Sequence, residues 1–356
     1  MRRNTILAAS TALACGAGLV LTAAPAHAAA WRNIASPALK YNGSLERVDF
    51  ADKNNGWAVG NAGNFLQPQA KLVRWNGKGW AGQTSPVGFA PTDVAAGNAK
   101  RAWVVGFNLS GPVSIYWNGS KWAKAAYPKV GMPSQVSAAL DGTAYSVAGL
   151  DATAGGPSAV LRWTGSAWAD AKVPLPPSSS ITAVDVRAKN NVWLAGTTSN
   201  GRAVTGIVLH YNGSAWKRIN VPGAMGAPAY QGVLNRIAVS NGNVYVLRAA
   251  QYAQITNALL QWNGKTWRTL NIPGNAIGTG LSADGRGGAV VLPVTNGDKA
   301  RYLHFNGTSW ASVYGPARSG KVQAGDADHR PGTTGIVSAG TATASNKKVP
   351  FIEYFG

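Results

Sequence analysis

The tryptophans of this chain recur at a fixed interval, and that interval constrains the architecture more than any other feature. All 14 fall in one of three slots of a repeating unit. The clearest pair of slots brackets an aromatic residue, Asn-Gly or Thr-Gly, two residues and a Trp: Trp75 to Trp80, Trp117 to Trp122, Trp163 to Trp168, Tyr211 to Trp216, Trp262 to Trp267 and Phe305 to Trp310. Successive units start 42, 46, 48, 51 and 43 residues apart. A period of that length is the blade of a β-propeller, in which each repeat is one four-stranded sheet.

The Asn-Gly pair predicts a hairpin between residues 71–75 and 78–83, because Asn-Gly suits the φ > 0 positions of a type I′ turn. Whether the loop has two residues or four, Trp75 and Trp80 share one sheet face, since strand side chains alternate with period two. The third slot lies upstream, in Trp57-Ala58-Val59-Gly60, Trp103-Val104-Val105-Gly106 and Trp193-Leu194-Ala195-Gly196, with Tyr145, Tyr245, Val290 and Val337 in the same place elsewhere. An alternating stretch precedes each, giving strands a, b, c and d. Six units are complete. The chain ends on a strand-c pattern, Tyr354-Phe355-Gly356, with no strand d after it, and residues 31–36 read as a strand d without a blade. Joined, they make a seventh. The expected fold is an all-β, seven-bladed propeller of four-stranded blades spanning 29–356, its last blade closed by the N-terminal strand so that no sheet edge is left exposed.

Residues 1–28 read as a secretory signal peptide: Arg2 and Arg3, an apolar stretch over 6–24, then Ala26-His27-Ala28. Cleavage is expected between Ala28 and Ala29, leaving a secreted, extracellular protein with no membrane span after processing. Cys15, the one cysteine, lies in that leader. The mature protein therefore has no disulfide and no thiol nucleophile, and packing must hold it together. The 33 Lys+Arg stand against 13 Asp+Glu, an excess that attracts polyanions. The basic residues are dispersed, and Lys78, Lys121 and Lys265 follow the c–d turns.

Little material is available for catalysis. Outside the leader there are two glutamates, Glu46 and Glu353. Glu353 shares its slot with Arg74, Tyr116, Arg162, His210, Gln261 and His304, which reads as a solvated, tolerant position. Asp52, Asn98, Asp141, Asn241 and Asp284 recur just before strand b, where Asx side chains cap their own turns. Asp326-Ala327-Asp328-His329 is the one cluster of acids and histidine, and it lacks metal-site spacing. Glycoside hydrolysis needs two facing carboxylates. Asp93, Asp151 and Asp185 are available, with nothing in the sequence to pair them. No catalytic residue, metal site or cofactor is assigned.

The run Phe50-Ala51-Asp52-Lys53-Asn54-Asn55-Gly56-Trp57-Ala58-Val59-Gly60, followed by Trp75-Asn76-Gly77-Lys78-Gly79-Trp80, resembles Asp-box and photosystem-assembly-factor-like propellers. Those families place Asp-x-Gly-x-x-Trp in the hairpin, one residue longer before the glycine, and no sialidase-type catalytic residue maps onto this chain. The repeats are similar, more loosely, to secreted actinobacterial propeller lectins, including the lectin subunits of toxin particles. The resemblance implies a non-catalytic, lectin-like module recognising glycans or an anionic cell-surface polymer, alone or with other secreted proteins, and no specific nucleic acid. A polysaccharide hydrolase or lyase and a protein–protein scaffold are the alternatives. Ligand contacts are expected on the variable b–c and d–a loops, which share one face, because binding residues concentrate on loops held by a rigid scaffold. Phe65, Arg202, Tyr230 and Tyr252 are the candidate residues, with Asn200, Asn257 and Lys347 as further polar contacts.

Overall fold

The computed structural model describes residues 30–40, 42–149, 158–199, 204–223, 232–249 and 256–356. Seven four-stranded antiparallel sheets follow one another along these residues. Their innermost strands, a, are Arg47–Asp52, Ala90–Asn98, Pro133–Ala138, Ser179–Ala188, Val233–Ser240, Gly278–Ala283 and Lys321–His329. Six blades run a-b-c-d in chain order. In the seventh, strand d is the N-terminal Trp31–Asn33, paired antiparallel with Lys347–Phe355, so that Trp31 lies opposite Phe355 and Asn33 opposite Glu353. The two short 3-10 turns, Pro37–Leu39 and Pro273–Asn275, are the only helical elements among the described residues.

The three aromatic slots fit together across blade boundaries. Trp57, on strand b of blade 1, packs 5.0 Å from Trp117 and 4.8 Å from Trp122, which flank the c–d turn of blade 2. Trp103 meets Trp163, Tyr145 meets Trp216 and Tyr245 meets Phe305 in the same way. Val290 packs in the cluster that holds Trp31, and Val337 in the one that holds Trp80, so the interface closes the ring. The repeat therefore encodes the inter-blade core, and aromatic pairs of this geometry add to the burial of apolar area.

Two local devices position the strands. The glycine of Trp-x-x-Gly lets strand a approach: a Cβ on Gly60, Gly106 or Gly196 would lie 2.1 Å from the carbonyl oxygen of Ser44, Ala90 or Ser180. The c–d connection is a four-residue loop, not the two-residue type I′ turn that Asn-Gly suggests. Trp75 and Trp80 are the closing pair, the Asn76 side chain accepts from the amides of Lys78 and Gly79 at 3.0 Å, and only Gly77 has positive φ, 90°. The Asn serves as an Asx turn, and the Gly supplies the left-handed residue.

The slot before the strand-c aromatic is not uniformly solvated. Glu353 is fully buried, accepts from the Tyr302 hydroxyl at 2.7 Å and pairs with Arg318, which also reaches Asn33 on the closing strand. Arg74 lies over Trp57 and Trp117, and His210 stacks 4.0 Å from Trp193. A side chain here leans over the strand-b aromatic, and long flat cations suit that contact as well as solvent does.

Candidate functional site

Strand a of each blade is the inner edge of its sheet, so its outward backbone N–H groups have no sheet partner and must be satisfied otherwise. The preceding blade supplies the acceptors. Asp93 takes the amide of Val136 at 2.8 Å, Gln135 that of Val184 at 2.8 Å, Ser137 that of Val186 at 2.9 Å and Asp185 that of Val239 at 2.8 Å. Asp326 takes Val48 at 3.3 Å, Asp328 takes Phe50 at 2.8 Å, and Asp49 takes Ala96 at 2.6 Å. Five carboxyls thus converge on a central channel of about 310 Å³ together with Arg47, Arg187 and Arg236.

Burial dominates their chemistry. The Asp93 carboxyl is pushed up to about 7, although Arg47 stands 3.7 Å away and pulls the other way. Burial raises Asp185 and Asp326 against the pull of Arg187 and Arg47. Asp49 and Asp328 are hydrogen-bonded to each other and also desolvated. Asp49 rises to about 6, and Asp328 is driven well above the carboxylate range by burial and its negative neighbour. Carboxyls held near neutrality are what acid–base chemistry requires. Here, however, each of the five already accepts a backbone amide of the adjoining blade, which assigns them to ring closure.

The structure therefore gives Asp93 and Asp185 a shared location that the sequence did not, while Asp151 lies outside the described residues. It also sorts the Asp326–His329 cluster by partner: all three polar residues line the channel, the two aspartates accept amides of blade 1, and His329 bonds to the carbonyl of Thr333 at 2.9 Å. Among the described residues, no group of three or more His, Cys, Asp or Glu side chains is placed to hold a metal ion. The missed signal was a polar residue at every second position of strand a, as in Arg47-Val48-Asp49 and Asp185-Val186-Arg187.

Of the residues expected to meet a ligand, Arg202, Tyr230 and Tyr252 lie outside the described residues, as do Asn200 and the junction Ala28–Ala29. Phe65 is described, and it is 77% exposed. Its loop, residues 62–69, is held by its own side chains. Asn61 accepts from the amides of Gly63 and Gln69, and Asn64 from those of Leu66 and Gln67, so the backbone is spent internally while Phe65 and Leu66 project outward. Asn257 is structural instead: it is buried and donates to the carbonyl of Asn275 at 2.9 Å. Lys347 is exposed at the start of the last strand.

Phe65 belongs to a larger pattern. Among the described residues, the exposed large hydrophobic side chains include Leu66, Leu109, Val130, Met132, Ile277, Val294, Tyr314 and Val349, and all of these lie towards the end of the blades that carries the b–c and d–a connections. Leu140 alone sits at the other end, in an a–b turn. The opposite face carries exposed Lys53, Lys78, Lys100, Arg101, Lys121, Lys189, Lys265 and Arg286. The exposed apolar side chains thus gather on the loop face, whereas exposed lysines stand on both faces, Lys129, Lys172, Lys299 and Lys347 among them on the loop face.

No protein-family model and no curated protein matches the chain. Among solved structures, YCF48 bound to a D1 peptide aligns over 94% of this chain and 97% of its own, with a TM-score of 0.59 and 13% identity. YCF48 from Cyanidioschyzon merolae aligns with a TM-score of 0.55 and 14% identity, over 92% of this chain and 98% of its own. Virginiamycin B lyase from Staphylococcus aureus, with quinupristin, aligns over 92% and 100% with a TM-score of 0.63 and 11% identity. At these identities the likeness is one of fold. It matches the photosystem-assembly-factor-like repeat at the level of the propeller.

Proposed function

We propose that the protein is a secreted, non-catalytic binding propeller whose b–c/d–a loop face is its recognition surface. The observation that carries this is the segregation of exposed apolar side chains onto that face. Soluble monomers scatter such residues singly, and a one-sided collection rimmed by polar groups marks an interaction site. The described members are aliphatic apart from Phe65 and Tyr314, a composition that suits the apolar surface of a partner protein. YCF48, of the same fold, carries a bound peptide in its solved structure.

Glycan recognition is the second reading. It is favoured by Phe65, whose projecting ring offers a stacking face, together with Tyr230 and Tyr252 from the expected contact loops. One paired experiment separates the two. Wild type and a Phe65→Ser/Leu66→Ser variant are applied to a glycan array at about 0.15 M and about 0.5 M salt, beyond which exposed charges are screened. Both proteins are also used to capture partners from the secreted fraction, with each captured protein re-tested in purified form. A purified partner bound by wild type and lost in the variant supports the protein reading. Saccharide selectivity that survives high salt and is lost in the variant supports the glycan reading. Binding that the variant leaves intact in both formats refutes the loop face, and released sugar products replace the binding module with an enzyme.

A further inference from the structure

The face of the a–b and c–d turns carries a groove of about 750 Å³ spanning blades 2 to 4, in the size range of a small-ligand site. Three cations point to it from three blades. Arg101 begins strand b of blade 2 (Arg101–Asn108), Arg162 lies in strand c of blade 3 (Ala159–Trp163), and Lys189 stands in the a–b turn of blade 4. All three are exposed, and none makes an ion pair or a side-chain hydrogen bond among the described residues.

The acid in the groove does not neutralise them. Asp141 spends one oxygen on the amide of Thr143 at 2.8 Å and the other on the amide of Lys189 at 2.9 Å. Desolvation pushes its carboxyl up, but those bonds, the Thr143 side chain and the charge of Lys189 hold it below the usual range, so it stays a carboxylate that offsets part of the charge of Lys189. The groove keeps a net positive charge over polar walls. Half-buried Trp163 and Tyr211 supply ring surface, and Thr143 and Asn190 supply hydroxyl and amide groups.

We propose that this groove binds a segment of an acidic polysaccharide, with Arg101, Arg162 and Lys189 pairing successive anionic groups and Trp163 and Tyr211 flanking the sugar rings. Two free guanidiniums offer planar, bidentate pairing with carboxylate or phosphate, which a scattered lysine surface does not. The mixture of hydroxyl, amide and ring surface suits sugar hydroxyls and pyranose faces better than a nucleic-acid backbone, which asks for a longer, evenly spaced basic track. The site lies opposite the loop face, so it stands or falls separately from the recognition surface proposed above.

The test compares two charge-matched triple variants of the full mature chain. Arg101→Gln/Arg162→Gln/Lys189→Gln empties the groove, while Lys53→Gln/Lys78→Gln/Lys121→Gln removes the same charge elsewhere on the same face. All six positions are exposed, and unchanged circular dichroism and melting confirm the fold. Binding to oligogalacturonate, to a glycerol-phosphate oligomer and to single-stranded DNA of matched charge is measured by calorimetry at about 0.15 M salt. The groove triple should weaken binding of the uronate oligomer about tenfold or more and the other triple less than about twofold, the loss expected when paired guanidiniums are removed rather than mere net charge. Uronate binding supports the proposal, whereas binding of the ring-free glycerol-phosphate oligomer alone shows that phosphate is read without a sugar ring and overturns it. Equal losses in both triples, DNA held more tightly than either oligomer with the same groove dependence, or no binding of either oligomer by wild type overturns the proposal.

Discussion

Replacing Asp93 by Asn tests the physics of the central channel. Asp93 is 5% exposed, accepts the Val136 amide at 2.8 Å, and titrates near 7 in the folded ring against 3.8 for a free aspartate. Between those two values the native state holds a proton that the unfolded chain has released. Stability must therefore fall as pH rises from about 4 to about 7, and the fall levels off above the folded pKa. The displacement corresponds to about 4 kcal/mol at most. Asn is a permanently neutral stand-in for the protonated acid, and its amide oxygen can still accept the Val136 N–H. The variant should thus match wild type within about 1 kcal/mol at pH 4.5 and exceed it at pH 8 by an amount approaching that ceiling. Arg47 keeps the carbonyls of Glu46 and Gly325 as partners, so it is not abandoned. Urea unfolding of both proteins at pH 4.5, 6, 7 and 8, compared at constant m, gives the difference directly. A mutational effect independent of pH, or one more destabilising at pH 8 than at 4.5, would show that Asp93 is ionised and held by Arg47, and the reasoning would fail.

Other outcomes follow from single contacts. Trp31→Ala removes a ring stacked 3.7 Å from Tyr302 and should lower stability by about 3–5 kcal/mol; an unchanged melting point would mean that the N-terminal strand does not clasp the last blade. Trp57→Ala should cost a similar amount, whereas Phe65→Ala should change stability by less than about 0.5 kcal/mol, since only the first sits in the inter-blade core. Gly60→Ala puts a Cβ 2.1 Å from the Ser44 carbonyl and should destabilise by about 1–3 kcal/mol. Gly82→Ala, with open space around it, is the control, and equal melting of the two would refute the close approach. N-terminal sequencing of secreted material should read from Ala29.

The blade, its repeat length and the clasp were legible because each is written in local chemistry. Asn76-Gly77 marks a turn, Trp57-Ala58-Val59-Gly60 marks strand b, and an incomplete unit at each end is the arithmetic of one blade cut in two. The length of the turn, two residues or four, was left open because Asn and Gly can both take left-handed backbone. Only Gly77 takes it, while the Asn76 side chain binds the turn amides. Glu353 was misjudged because its slot tolerates many residue types. What buries it is Tyr302 from the neighbouring blade and Arg318 from the connection between blades.

By itself, then, the sequence determined the period, the strand order and which aromatics face the inter-blade core, since turn propensity and alternation act over a few residues. Tertiary structure alone decided what the ring brings together. Asp326 and Asp328 reach the amides of Val48 and Phe50 across 278 residues of chain, and Arg101, Arg162 and Lys189 share a groove although each belongs to a different blade. No local pattern records such neighbours. They exist because closing seven twisted sheets into a ring places equivalent positions of consecutive blades side by side, and the identity of the residues at those positions then sets the charge, burial and exposure of each surface.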